Sequence, residues 1–139
     1  MVFLLQDDKI LYMPKDSTTK ITDGWACIKI FSTFNNTIIT ITRKNGEKVC
    51  DNITARTATG YKGAKKTTPL AAQEAAKKVL EKLKELGVSQ VKIETKGIGK
   101  GQSTAVEKIC SEPGLRVESL EDKTPYPFNG CRPSGAPRK

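Results

Sequence analysis

The chain reads as one α/β domain on a mixed five-stranded sheet, and three observations carry that reading. Strand-like and helix-like runs follow one another in the order βββαβαβ, the pattern of layered α/β folds. Two loops rich in glycine and lysine, residues 59–69 and 96–104, each stand between a strand-like and a helix-like run. Residues 125–139 hold Pro125, Pro127, Pro133 and Pro137, so this segment can neither continue a helix nor enter a central strand. At 139 residues one domain is expected. It divides into an N-terminal extension (1–23), an α/β core (24–124) and an extended basic tail (125–139).

Residues 1–23 set three lysines against four aspartates without a clean period, which predicts a loose extension with a short strand near Lys9–Met13. Trp25–Ser32 is β-branched and aromatic, with Ala26, Ile28 and Ile30 on one face and Trp25, Cys27, Lys29 and Phe31 on the other. Both faces are largely apolar, so cover on both sides is expected. Phe34–Thr37 breaks the run and Ile38–Thr42 resumes it. Asn45-Gly46 predicts a two-residue hairpin loop, and Val49–Thr57 a third antiparallel strand. Thr68 suits a helix cap, Pro69 the first helical position and Gly87 the end. Between them Ala72, Ala75, Ala76, Val79, Leu83 and Leu86 repeat near 3.6 residues. Val88–Thr95 alternates as a fourth strand. A short helix over 103–111 follows, with Thr104 and Glu107 at capping-box spacing, and Leu115–Leu120 makes the fifth strand.

The net charge is +9, from 24 basic and 15 acidic residues. Residues 56–66 carry four basic side chains and no acid, and residues 132–139 carry three and no acid. Charge concentrated this way favours a nucleic-acid partner. A membrane surface fits less well, because the cations sit in glycine loops and a tail rather than on an amphipathic helix. Glycines allow close approach to a ligand, and helix N-termini favour anions. Arg56, Lys62, Lys65, Lys66, Lys96 and Lys100 are therefore candidate phosphate contacts, with the backbone N–H groups of Gly97, Gly99 and Gly101. Asn35 and Asn36 either bond bases and riboses or serve their turn. Tyr61, Tyr126 and Phe128 either stack on bases or pack against core and tail.

Catalytic readings lack their parts. Gly63-Ala64-Lys65-Lys66-Thr67 does not have the spacing of a nucleotide-binding P-loop. The first strand carries no carboxylate for a two-metal nuclease, and Asp23, Asp51 and Glu94 are isolated in sequence. The chain has no histidine to activate a serine or cysteine, leaving only a lysine base to do so. Cys27, Cys50, Cys110 and Cys131 are scattered without Cys-x-x-Cys spacing, so reduced thiols are expected, with no metal and no cofactor. The apolar start, Met1–Leu5, stops at Gln6 and is too short for a signal peptide, and no run is long enough to cross a bilayer.

Three strings occur in one order: Phe34-Asn35-Asn36-Thr37-Ile38, Gly63-Ala64-Lys65-Lys66-Thr67-Thr68-Pro69-Leu70-Ala71-Ala72-Gln73, and Thr124-Pro125-Tyr126-Pro127-Phe128-Asn129-Gly130-Cys131-Arg132-Pro133. From about Gly24 to Arg132 the chain resembles the universal small-subunit ribosomal protein family numbered eleven in the bacterial scheme. The resemblance implies a three-layer fold of ribonuclease-H-like topology with two main helices, no enzymatic role, and a place on the small-subunit platform. It implies binding to small-subunit ribosomal RNA near the messenger RNA exit, beside neighbouring platform proteins. In the tail, Asn129, Arg132, Arg138 and Lys139 join the candidate RNA contacts. The closing Asn-Gly-Cys-Arg-Pro motif is of the bacterial and organellar type. Departures from the family pattern are Gly97-Ile98-Gly99-Lys100-Gly101-Gln102 for Gly-Pro-Gly-x-Gly-Arg, Phe128 for a histidine, a sparser basic tail and an N-terminus without basic character. That drift favours a mitochondrial or plastid ribosome, with the bacterial cytoplasm as the second choice. The alternative is a freestanding RNA-binding or RNA-chaperone module outside the ribosome.

Overall fold

A computed structural model describes residues 21–138; the expected strand near Lys9–Met13 lies outside the described residues. The sheet contains β1 (Trp25–Ser32), β2 (Thr37–Thr42), β3 (Ile53–Thr54), β4 (Gln90–Gly97) and β5 (Arg116–Asp122), in the order β3-β2-β1-β4-β5. Neighbouring strands run antiparallel from β1 to β2 and from β2 to β3, and parallel from β1 to β4 and from β4 to β5. The helices are α1 (Ala55–Thr59), α2 (Pro69–Glu85) and α3 (Gly101–Cys110), with a 3-10 turn over Gly63–Thr67. This is the expected mixed five-stranded α/β fold, with α2 and α3 as its two main helices.

Both long helices lie on one face of the sheet, and they pack against each other. The connectivity dictates this arrangement. The crossovers β3–α2–β4 and β4–α3–β5 advance in the same direction along the sheet, so right-handed connections place both helices on the same side. Ala26, Ile28, Ile30, Ile39, Ile41, Val91 and Ile93 point toward them and are fully buried. On the opposite face Lys29 and Phe31 are exposed and Trp25 is half-buried, its Nε1–H donating to Glu118 Oε2 at 2.7 Å. Among the described residues nothing forms the third layer that the resemblance implied, and β1 is covered by helices on one side only.

α2 is built as its spacing predicts. Thr68 Oγ1 accepts from the Ala71 N–H at 3.4 Å, Pro69 opens the first turn, and the small stripe Ala71, Ala72, Ala75, Ala76 is buried. Its end is a Schellman motif. Gly87 takes φ +70°, its N–H reaches the Lys84 carbonyl at 3.1 Å, and the Val88 N–H reaches Leu83 at 3.1 Å.

Three local expectations are corrected. The third strand is not Val49–Thr57: it shrinks to Ile53–Thr54, and Ala55–Thr59 is helical. Threonine-rich composition suggested strand, but Thr54 and Thr57 stand three residues apart and cap reciprocally. Each hydroxyl accepts the other's backbone N–H at 3.0 Å, a capping box that outweighs β propensity. The hairpin loop after β2 has three residues, not two. The Gly46 N–H returns to the Arg43 carbonyl at 2.9 Å, Arg43 pairs with Glu47, and Gly46 alone takes positive φ, the turn-plus-bulge form. Finally, α3 begins at Gly101 with Lys100 as an N-cap that makes no side-chain bond, so Thr104 is inside the helix.

Candidate nucleic-acid interface

Because β3, β4 and β5 all run parallel to β1, their carboxyl ends lie together at one end of the sheet. The 33–36 turn, α1 with the 59–69 loop, the 97–100 loop and the tail all emerge there. In open α/β sheets this is where ligands bind. The sequence alone placed these segments far apart; chain topology collects them.

The 97–100 loop interlocks with the turn after β1. Ser32 pairs with Gly97 in register, and the Gly99 N–H donates to the Ser32 carbonyl at 3.2 Å. A side chain at Gly97 would run into the Ser32 carbonyl oxygen, and φ +99° at that position also demands glycine. One at Gly99 would strike Thr33 O and approach the Ser32 carbonyl carbon to 2.9 Å. The Gly97 N–H is also taken, donating to Thr124 Oγ1 at 3.2 Å. Gly97 and Gly99 therefore have a different job from the phosphate contact expected of their N–H groups: they let the chain cross close to β1. Gly101, buried at the start of α3, sits against Thr37 and Ala72, which joins this loop to the N-terminal turn of α2.

The cations divide into groups. Arg56 on α1, with Tyr61, Lys62 and Lys65, is exposed, and Lys66 is half-buried. The 3-10 turn that carries the lysines is held by Thr67 Oγ1–H donating to Ala64 O at 2.7 Å and Thr68 Oγ1–H to Lys65 O at 2.8 Å. Lys100 is exposed at the N-terminus of α3. The first turns of α1, α2 and α3 carry no acid, so nothing in them neutralises the partial positive charge of those helix ends. Lys96 belongs to β4 rather than to the loop, and its Nζ stands 5.7 Å from the Phe31 ring centre on the uncovered face of the sheet.

Asn36 serves its turn: its Oδ1 accepts from the Thr37 N–H at 2.9 Å, and its carbonyl accepts from the Thr33 N–H at 2.8 Å. Asn35 is exposed at the tip. The tail leaves the same end, moored where Asp122 Oδ1 accepts from the Thr124 N–H at 3.0 Å and its hydroxyl at 2.6 Å. Those bonds hold the Asp122 carboxyl below its ordinary range. Beyond the mooring, residues 125–138 are exposed and contain no helix or strand, and Tyr126 packs edge-on against Phe128 at 6.2 Å. Asn129 takes φ +63°. Arg132 and Arg138 are exposed on this arm; Lys139 lies outside the described residues.

Sequence reasoning overlooked the apolar members of this end. Phe34 is 72% exposed, Ile98 68% and Leu70 55%. The available signal was a phenylalanine in a turn of otherwise polar residues, and an isoleucine between two glycines.

Among the described residues, no three side chains of the His, Cys, Asp and Glu types cluster to hold a metal ion, and no helix is long and apolar enough to cross a membrane. The molecule is thus an α/β domain with acid-free cationic loops at the carboxyl end of its sheet. A family profile described as Ribosomal protein S11 matches residues 26–138. The small ribosomal subunit protein uS11 of Nautilia profundicola is 44% identical over 110 residues, 79% of this chain and 83% of that protein. Its namesake in Helicobacter hepaticus is 42% identical over 128 residues, 87% of this chain and 95% of that protein. The Helicobacter pylori protein of the same name is 44% identical over 106 residues, covering 76% and 79%. This chain belongs to the ribosomal protein S11 family.

Proposed function

We propose that the chain is a structural constituent of the small ribosomal subunit, bound on its platform to small-subunit ribosomal RNA by the cationic loops and the tail. The observation that supports this most is the convergence at the carboxyl end of the sheet of the 33–36 turn, both Gly/Lys loops and the moored tail. Family membership adds to it. In this reading Arg56, Lys62, Lys65, Lys66, Lys96 and Lys100 neutralise phosphates, Asn35 meets a base or ribose, and Gly97, Gly99 and Gly101 set the loop's path. The tail, with Asn129, Arg132, Arg138 and Lys139, threads between RNA segments and becomes ordered there. Neighbouring platform proteins and the messenger RNA exit lie close by. The role is architectural rather than catalytic. The sparser basic tail favours an organellar ribosome, while the relatives named above are bacterial.

Sucrose-gradient sedimentation of lysate and of isolated organelles tests the assignment. Stoichiometric appearance in small subunits, surviving a high-salt wash, is the expected result. Recovery solely in soluble fractions would instead make the chain a freestanding RNA-binding module.

A further inference from the structure

We infer that Phe34, with Ile98 on the adjoining loop, receives an unpaired, unstacked nucleotide, so that this end of the sheet recognises irregular RNA rather than the regular flank of a duplex. This rests on the ribosomal RNA reading above and deepens it. Both side chains are large, apolar and mostly exposed, at 72% and 68%. Both are also held in place. The turn carrying Phe34 is closed by the Thr33 N–H on the Asn36 carbonyl at 2.8 Å and by the Asn36 N–H on Thr33 Oγ1 at 3.1 Å. The loop carrying Ile98 is pinned to β1 through Gly99 and Ser32, where no side chain would fit. Those bonds fix the backbone that carries both side chains at the end of the sheet.

The surroundings define the occupant. Residues 32–37 and 96–104 contain no acid, and Lys96 and Lys100 are exposed. Protein–protein interface centres are depleted in lysine. An apolar tip on acid-free segments that also carry Lys96 and Lys100 instead suits a base with phosphates beside it, and aromatic stacking requires that the base be out of its helix. A duplex offers these loops phosphates and grooves and gives Phe34 nothing to stack on.

The test uses the full chain and the small-subunit ribosomal RNA of its own source, made by transcription. Affinities are measured across salt concentrations for wild type, Phe34→Leu and Phe34→Tyr, with chemical probing of unpaired bases in each complex. Phe34→Leu should bind measurably more weakly, within the roughly five- to 150-fold that truncating one stacked aromatic to alanine costs. The salt slope should stay unchanged because no phosphate contact is lost. Phe34→Tyr should bind like wild type, and one or a few unpaired bases should become reactive only in the Phe34→Leu complex. Equal affinity for Phe34→Leu and wild type overturns the inference, as does loss of a neighbouring protein from the subunit with RNA affinity intact. Failure of the wild-type chain to bind this RNA at all would sink the ribosomal reading itself, so the two failures are distinct.

Discussion

Replacing Gly101 with alanine sets two opposing effects of known size against each other. Gly101 is the first residue of α3 and has an ordinary helical backbone, so alanine should help the helix by roughly 0.5–1 kcal/mol. Against that, the new methyl would stand 2.5 Å from Thr37 Oγ1 and 2.7 Å from Ala72 Cβ. Neither neighbour can swing aside. The Ala72 methyl is fixed to the α2 backbone, and Thr37 is buried with its hydroxyl 3.3 Å from Ser32 Oγ. Overpacking costs about 1–3 kcal/mol, and two rigid contacts place this site toward the upper end. The net loss should be about 2 kcal/mol, a large share of a typical stability of roughly 5–15 kcal/mol. For a chain of this size that lowers Tm by roughly 6–10 °C. Urea titration followed by circular dichroism should show a lower midpoint at unchanged slope. Gly114→Ala is the control, because a methyl there meets nothing within 4 Å and should be neutral or stabilising by up to about 1 kcal/mol. Adding Ala72→Gly to Gly101→Ala moves the methyl from one helix to the other, so the double variant should lose less than the sum of the singles. A Gly101→Ala chain as stable as wild type would refute the idea that this glycine sets the spacing of α2 and α3.

Three further outcomes follow from the charges and thiols. If six basic groups neutralise phosphates, wild-type RNA affinity should fall with salt at a log–log slope of roughly −4 to −5. Lys62→Ala, Lys65→Ala and Lys66→Ala together should reduce that slope to about half with Tm unchanged, and an undiminished slope would take the loop out of the interface. On the uncovered sheet face, Lys123 Nζ donates to Glu94 Oε1 at 2.6 Å, and this bond leads the causes that hold the Glu94 carboxyl below its ordinary 4.5. A carboxyl depressed in the folded state adds stability that is complete above its unfolded pKa and disappears as pH falls through the folded value. The Tm gap between wild type and Lys123→Met should therefore be constant near neutrality and narrow as pH falls below 4.5; a gap that does not narrow on acidification contradicts the assignment. Burial, followed by the charge of Glu94, raises the Cys27 thiol, whereas Cys110 and Cys131 are exposed. Mass spectrometry after brief alkylation at neutral pH should find Cys110 and Cys131 modified and Cys27 intact.

What was legible in the sequence was whatever rests on period and on single strong residues. The alternation of Ala26, Ile28 and Ile30, and the stripe from Ala72 to Leu83 bounded by Thr68, Pro69 and Gly87, gave β1 and α2 at their observed positions. Illegible were features decided between residues distant in the chain. Nothing local says that the partner of Gly99 is Ser32, 67 positions earlier, so the sequence points its N–H at a ligand when it belongs to the fold. The Thr54–Thr57 capping box was readable in principle, but a helix of five residues leaves too short a pattern to outweigh threonine's strand preference. The apolar appearance of both faces of β1 misled for another reason. Phe31 is capped by Lys96 and Trp25 bonds Glu118, so side chains from neighbouring strands satisfy them without a covering layer.

The same topology accounts for why the interface is stiff where it matters. A phosphate-binding surface made only of lysines on free loops would lose much of its affinity to the ordering of those side chains and loops on binding. Here the turn, the second loop and the base of the tail are tied together by hydrogen bonds around Ser32, Gly97 and Thr124, so the backbone is ordered before any RNA arrives. Lys62, Lys65 and Lys100 stay exposed on that frame. The tail beyond Thr124 has the opposite character, stiffened in part by its four prolines but with its course unsupported by helix or strand. A rigid platform beside a stiff, unsupported arm suits sequential engagement: the loops dock on preformed RNA, and the arm then settles into whatever channel that docking defines. Cutting the chain after Thr124 should accordingly leave the loops' salt slope largely in place while speeding dissociation of the complex.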